Sequence, residues 1–388
     1  MIVSANLKKS VDEYLDSIYV ISHSHSSVRV YGLAIQHFME FCEHKFNLPL
    51  DEMIVQMKEG SVDPYHAIKD LVIFLDKNGS KPASIKSWMP GIKGFLRHHG
   101  IKIYTEDFKS IVKLPKKIHY REEPLTKEIL VHVLNNVNPR MRVMILVAVS
   151  SGMRLGEILQ ITVSDIDFQS TPTKIKIRAE TTKTRESRET FLTQEATNVL
   201  KDYLKKNFGW IDGISNIELG EKIIFGKTKN HNDKKPKEWM KPTPHRSAVS
   251  SVGASLQKQL RDVPELSKLN ENGVHSIHFH AFRKFFRTTV GNTVGRDYAE
   301  ALMGHHFYLD TYYNLHEKER INLYLKTEPY LTISDFIKIE KKLLSIESNQ
   351  QQIVENYNKF IVLLEKNNLE VPQILLDLKS NEQLSHKT

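Results

Sequence analysis

The chain has 388 residues, 40% hydrophobic and 26% charged, which is enough apolar material for two folded domains and excludes a disordered tract or a fibrous repeat. Its net charge of +9 favours a polyanionic partner, because Lys and Arg that neutralise phosphates release condensed counterions. A single cysteine, Cys42, excludes an intrachain disulfide and a cysteine-cluster metal site, and it reads as a small core residue of a protein in a reducing cytoplasm.

The opening MIVSANLKKSVDEYLDSIYV lacks the unbroken apolar stretch of a secretory leader. The densest apolar run, near Met144 to Val149, is far too short for a membrane span, so a soluble protein with no membrane partner is expected. The first part, residues 1–111, reads as wholly helical. Val28, Tyr31, Ile35, Phe38 and Phe41 recur at three- and four-residue intervals and form one apolar stripe. A second helix runs through Tyr65 to Leu75. A third begins near Ser84 with Ile85, Trp88, Ile92 and Phe95 on one side, and Lys86, Lys93, Arg97, His98 and His99 elsewhere. Lys86, Lys93 and Arg97 are therefore candidates for DNA backbone contact, with plain solvation of a helix surface as the alternative.

Residues 112–124, containing Lys113 to Lys117 and Pro124, are polar and without period, as in an interdomain linker. Thr126 followed by Glu128 opens a helix, and an apolar helix from Met141 leads into Ser151 and Gly152. From Thr173 the period becomes two: Lys174 to Arg178 alternates, Glu180 to Glu186 turns, and Arg188 to Leu192 returns as the partner of a β-hairpin. Between Gly220 and Pro244 lies a lysine-rich stretch that suits an exposed loop near DNA. Helices resume around Val249, His280, Tyr298 and Asn322. In the tail, residues 335–388, Phe336, Ile339, Leu343, Ile346, Ile353, Tyr357, Phe360 and Leu364 keep heptad spacing, with Gln350 in the seam. That pattern predicts a helix that docks on a neighbour or a short coiled coil.

Three strings carry chemistry. In Ser151 to Leu159, a glycine precedes Arg154 at a helix start, where a guanidinium fork can grip two phosphate oxygens, and Glu157 stands one turn on to fix it from behind. In His280 to Arg283 the i and i+3 positions share a helix face, joining a proton-transfer group to a charge holder. His275 and His278 lack an Arg three residues on. In Leu302 to His305 a second imidazole follows a glycine, and Tyr312 and Tyr313 come soon after.

Together these strings resemble the tyrosine recombinase (phage integrase) family over roughly Pro124 to Leu331, in its order Arg, Lys, His-x-x-Arg, Gly-His, Tyr. The resemblance implies a mainly α fold with a small β-hairpin or sheet. It would comprise an α-helical N-terminal core-binding domain and an α+β catalytic domain, here residues 125–334. It implies that Arg154 and Arg283 clamp the scissile phosphate, that Glu157 supports Arg154, and that Lys183 in the hairpin turn protonates the leaving 5′ oxygen. His280 would assist proton transfer and His305 would hydrogen-bond the phosphate. The family's tyrosine commonly lies about nine residues after the Gly-His histidine, whereas that position here is Asn314. A connection one residue shorter favours Tyr313 as the nucleophile, with Tyr312 as the alternative. Lys284 stands where many members carry a second histidine, a departure that removes no essential role.

The chemistry holds together in its own terms. A phenol near pKa 10 attacks phosphorus well only if its charge is stabilised. Arginines and imidazoles neutralise the charge that develops, and a lysine supplies the leaving-group proton, so no cofactor or metal is expected. The expected partner is double-stranded DNA, bound by four protomers on two sites. A type IB topoisomerase-like strand transferase and a catalytically silent DNA-binding protein are the alternative readings. The Tyr312–Tyr313 pair followed by a polar helix is similar to archaeal mobile-element integrases. Accessory proteins, target site and reaction direction have no signature in the chain.

Overall fold

In a computed structural model, the described residues are 5–116, 118, 122–211, 220–226, 244–271, 273–305 and 315–334, with 352, 353, 355, 356, 358–360, 362, 363 and 366 of the tail. Internal packing divides the chain into two units. The first is Met1–Glu123 with Phe225–Ser255 and Lys268–Ser276, and the second is Pro124–Ile224 with Leu256–Ser267 and Ile277–Thr388.

Among the described residues, the N-terminal stretch of the first unit carries six helices: α1 (Ala5–Ser22), α2 (His25–Phe46), α3 (Leu50–Glu59), α4 (Pro64–Lys77), α5 (Pro82–His98) and α6 (Thr105–Ile111), and its later segment takes in most of a further helix, Pro244–Leu260. Local signals set their ends. Ser24 accepts from the Ser27 N–H and Asp63 from the His66 N–H, each satisfying a donor that the first helical turn leaves open. Val28, Ile35, Phe38 and Phe41 of α2 are buried, and α2 packs along α1 and α5. On α5 the buried side carries Ile85, Met89, Ile92, Phe95 and Leu96. Lys86 and Arg97 of α5 are exposed, whereas Lys93 is partly covered and holds its ammonium 4.3 Å from the centre of the Phe108 ring.

In the second unit α7 (Lys127–Asn135) starts at Thr126, whose hydroxyl caps the Ile129 N–H. The next helix, α8 (Pro139–Ser151), is buried at every position from Val143 to Ser151 and forms the axis of the unit. A single turn, α9 (Leu155–Ile158), follows. Then come the strands β1 (Ile166–Asp167), β2 (Thr173–Ile177) and β3 (Arg188–Leu192) in an antiparallel sheet of order β1-β2-β3. The hairpin pairs Thr173 with Leu192 and Ile177 with Arg188. Strand β1, two residues long, has no period to read and escaped the sequence reading.

Helices α10 (Gln194–Phe208), α11 (Pro244–Leu260), α12 (Phe279–Val294), α13 (Arg296–Met303) and α14 (Glu317–Leu331) complete the described elements. α8 packs on α10 and α12, and α14 packs on α12. Two ion pairs fasten the sheet to the start of α14: Lys174 to Glu317 at 2.8 Å and Arg320 to Glu189 at 2.9 Å. The architecture is mainly α with a small antiparallel sheet. Among the described residues, no helix is long and apolar enough to cross a membrane.

The lysine-rich stretch lies largely outside the described residues, as do residues 335–351 of the tail. Ile353, Phe360, Val362 and Leu363, further along the tail, are helical and exposed.

Candidate active site

The site is organised by the end of α8. A helix leaves its last four carbonyls without intrahelical partners. Here three successive ones are taken by side chains from three other elements. Ser150 O accepts from the Tyr324 hydroxyl at 2.7 Å, Ser151 O from the Thr190 hydroxyl at 2.8 Å, and Gly152 O from the Arg283 guanidinium. Gly152 turns the chain at φ 65°, and a Cβ there would overlap the Phe286 ring. Only glycine combines that left-handed conformation with so close an aromatic wall.

Past this turn Arg154 occupies the cap position of α9. The helix expected to open at Arg154 is one turn long, and the Glu157 carboxylate holds the guanidinium. Its Nη1 donates to Glu157 Oε1 at 2.9 Å, and its backbone N–H donates to Glu157 Oε2 at 2.8 Å. Glu157 is buried and takes two further bonds from Arg188 of β3, at 3.2 Å and 2.6 Å. Burial alone would raise the Glu157 pKa. The bonds and charge of Arg188, then of Arg154, outweigh it and hold the carboxyl below its ordinary value. The Arg188 Nε–H also donates to Leu302 O at 3.0 Å, and a Cβ on Gly304 would come within 2.8 Å of the Arg188 Cδ.

The second half of the site comes from α12 and α13. Arg283 is 2% exposed and donates to Gly152 O, to Met303 O at 2.8 Å, and to His305 Nε2 at 2.9 Å. Burial, then repulsion from Arg154, lowers its pKa to about 9, which leaves it protonated at neutral pH. His305 follows the left-handed Gly304 that ends α13. Its Nδ1 lies 2.5 Å from Glu300 Oε2, and Glu300 is also bonded by the Arg287 Nε–H at 2.6 Å. Burial, opposed by the Glu300 hydrogen bond but reinforced by Arg283, holds His305 below its ordinary pKa. Two buried carboxylates thus brace the cluster, Glu157 behind Arg154 and Glu300 behind His305.

The structure brings Arg154, Glu157, Arg283 and His305 into this one electrostatically coupled cluster. His280 precedes Arg283 by three positions on α12. It is exposed while Arg283 is buried, and its ring stacks parallel to that of His278, with centroids 6.2 Å apart. His278 caps α12 by accepting from the Ala281 N–H at 3.1 Å. Lys183 is exposed on the hairpin connection. That connection is shaped by its neighbour Thr182, whose buried hydroxyl donates to Ala179 O and accepts from the Glu186 N–H. Tyr312 and Tyr313 lie outside the described residues. Lys86, Lys93 and Arg97 belong to the first unit, whereas the elements that carry this cluster belong to the second.

Sequence reasoning missed Arg188 and Glu300. Both had a signal. Arg188 has the same strand parity as buried Thr190 and Leu192, and Glu300 lies among the buried Tyr298, Ala299, Leu302 and Met303 of α13. A charge at an inward position needs a partner. Among the described residues no three His, Cys, Asp or Glu side chains gather as a metal-ligand set. What the cluster offers is a set of fixed cationic donors suited to an oxyanion.

Comparison with known proteins gives three findings. The profile of the phage integrase family matches residues 123–318, half of the chain. Tyrosine recombinase XerA of Saccharolobus solfataricus is 20% identical over 194 residues, which span 50% of this chain and 62% of that protein. Two solved structures of lambda integrase dimers bound to a COC′ core site share the fold. One is 15% identical, covers 80% of this chain and 99% of that one, and has a TM-score of 0.50. The other is 16% identical, covers 79% of this chain and 76% of that one, and has a TM-score of 0.51.

Proposed function

The chain belongs to the phage integrase family, and we propose that it is a site-specific DNA recombinase that cuts and rejoins duplex strands through a 3′-phosphotyrosine. The observation that carries this reading is the cluster of Arg154, Arg283 and His305, each held by buried partners around the end of α8. Such a cluster is preorganised for a phosphodiester that gains charge at pentacoordinate phosphorus.

In the proposed reaction a tyrosine hydroxyl, of Tyr313 or alternatively Tyr312, attacks the scissile phosphorus and loses its proton. The bond from phosphorus to the 5′ oxygen breaks, and Lys183 gives that oxygen a proton. His280 assists proton transfer. The phosphotyrosine keeps the bond energy until a 5′ hydroxyl, from the same or a second duplex, attacks and frees the tyrosine. Arg154 and Arg283 hold the non-bridging oxygens throughout, and Glu157 keeps Arg154 in place.

Double-stranded DNA is the partner, with Lys86, Lys93 and Arg97 of the first unit as backbone contacts and residues 125–334 carrying the chemistry. Four protomers on two sites complete the exchange. The reading takes the protein to be cytoplasmic and to need no cofactor. Incubation with nicked candidate attachment-site DNA, followed by a denaturing gel, tests the proposal. A protein–DNA adduct that resists denaturation supports it, and no adduct on any nicked duplex overturns it.

A further inference from the structure

We propose that Glu300 is a positioning residue that fixes the His305 proton on Nδ1, so that His305 becomes a phosphate donor only by taking up a second proton as the phosphate enters. The inference rests on reading the cluster as a phosphate site, and it adds to that reading a proton-linked step and the residue that controls it.

The argument is one of donors and acceptors. A guanidinium has only donors, so His305 Nε2, 2.9 Å from Arg283 Nη2, presents its lone pair. A carboxylate has only acceptors, so His305 Nδ1, 2.5 Å from Glu300 Oε2, carries the hydrogen. The resting ring is therefore neutral and in one tautomer. Non-bridging phosphate oxygens are also acceptors and would be repelled by the Nε2 lone pair. Moving the single proton to Nε2 would turn the Nδ1 lone pair against Glu300. Gaining a proton from solvent at Nε2 removes both conflicts, and the imidazolium then lies between the Glu300 carboxylate and the phosphate. The proton returns to solvent when the phosphate leaves.

The charges around the ring suit such a switch. Arg283 of α12 and Arg154 of the α8–α9 turn act against the charged form, and Glu300 of α13 acts for it. Behind Glu300 stand Arg287 of α12 and Arg296 of α13, and the bonds from Arg287 and then His305 outweigh burial and hold the carboxyl below its ordinary pKa. A bound phosphate adds negative charge on the side of Arg283 and tips the balance towards the imidazolium. By linkage, phosphate binding raises the proton affinity of His305, and protonation raises phosphate affinity by the same factor.

The test uses the full chain with ¹⁵N-labelled histidine, with the His305 ring signals assigned by loss in His305→Gln. At neutral pH the free protein should show a neutral Nδ1–H ring, and saturating inorganic phosphate should protonate both nitrogens. With phosphate present, Glu300→Gln should lower the pH midpoint of charging by about one unit or more, the size expected from losing an adjacent opposite charge. Glu300→Asp should stay near wild type. A free-state Nε2–H tautomer, a ring left neutral under phosphate, or an unchanged midpoint in Glu300→Gln overturns the proposal. If Glu300→Gln does not fold, the wild-type tautomer and its phosphate response still decide. The readout needs no strand cleavage, so failure to form a DNA adduct would count against the recombinase reading alone.

Discussion

Arg188 meets Glu157 with both terminal guanidinium nitrogens, at 3.2 and 2.6 Å, so a residue of the β-hairpin grips the carboxylate that holds Arg154. The strand and the turn that carries Arg154 are joined through one buried acid. Its surroundings set the first expectations for mutants.

Arg188→Ala should destabilise the second unit by about 3–5 kcal/mol, the usual loss when one member of a buried ion pair is removed and the other remains. Glu157 would keep only Arg154, and Leu302 O would lose its donor. Urea unfolding measures the effect, and a loss below about 1 kcal/mol, as for an exposed pair, would show that the contact is not a stabilising one.

Gly152→Ala should cost stability twice, once for the left-handed backbone and once for the overlap with Phe286. Because the Gly152 carbonyl holds Arg283, the same variant should also weaken phosphate engagement. Thermal melts and adduct yield on nicked DNA should fall together. A stable variant of normal yield would contradict this placement of Gly152.

Acid should unfold the protein through its buried carboxyls. Glu157 and Glu300 have folded-state pKa values below the ordinary ones, so the unfolded chain binds more protons as pH falls. Their contribution is complete above the unfolded value of about 4.3 and is lost as pH drops through the lower folded values. The stability gap between wild type and Glu157→Gln should therefore narrow in acid. A gap that is constant from neutral pH to pH 3 would rule this out.

Lys183→Ala should bind DNA as wild type does and cleave it slowly, since the loss is of a proton donor. DNA with sulfur in place of the bridging 5′ oxygen has a leaving group that needs little protonation and should rescue the variant. If rescue is absent while wild type cuts normally, the general acid is another residue.

Tyr313→Phe should bind DNA and form no adduct, while Tyr312→Phe should still form one. Peptide mapping of the trapped adduct decides the assignment, and DNA attached to Tyr312 would reverse it.

Much of this arrangement could be read from the sequence where partners are close along the chain. The Arg154–Glu157 spacing, the hairpin period and the apolar stripe of α2 are local patterns; the ion pair, the hairpin and α2 are present, although the helix after Arg154 is only one turn long. The inward parity of Arg188 signals a buried charge, but the sequence does not name its partner, which lies 31 positions away across a turn and a strand pair. Glu300 is only five residues from His305, but their contact depends on the left-handed turn at Gly304, which no helical periodicity reports. The exposure of His280 beside a buried Arg283 shows the limit of the i, i+3 rule. It places two residues on one face and does not say how deeply each is covered.

The end of α8 also constrains how the protein becomes competent. Its three capped carbonyls draw their donors from 174, 39 and 131 positions away in the chain. Contacts that close such long loops carry a large entropic cost before they return any stabilisation, so they consolidate late in folding. Until Tyr324, Thr190 and Arg283 arrive, the turn at Gly152 lacks its supports and the cationic cluster does not exist. A nascent or half-folded chain can therefore attract a polyanion through its surplus charge, yet it lacks the assembled cluster. On the recombinase reading, strand cutting is a property of the finished molecule, and its recovery during refolding should trail the return of helical signal.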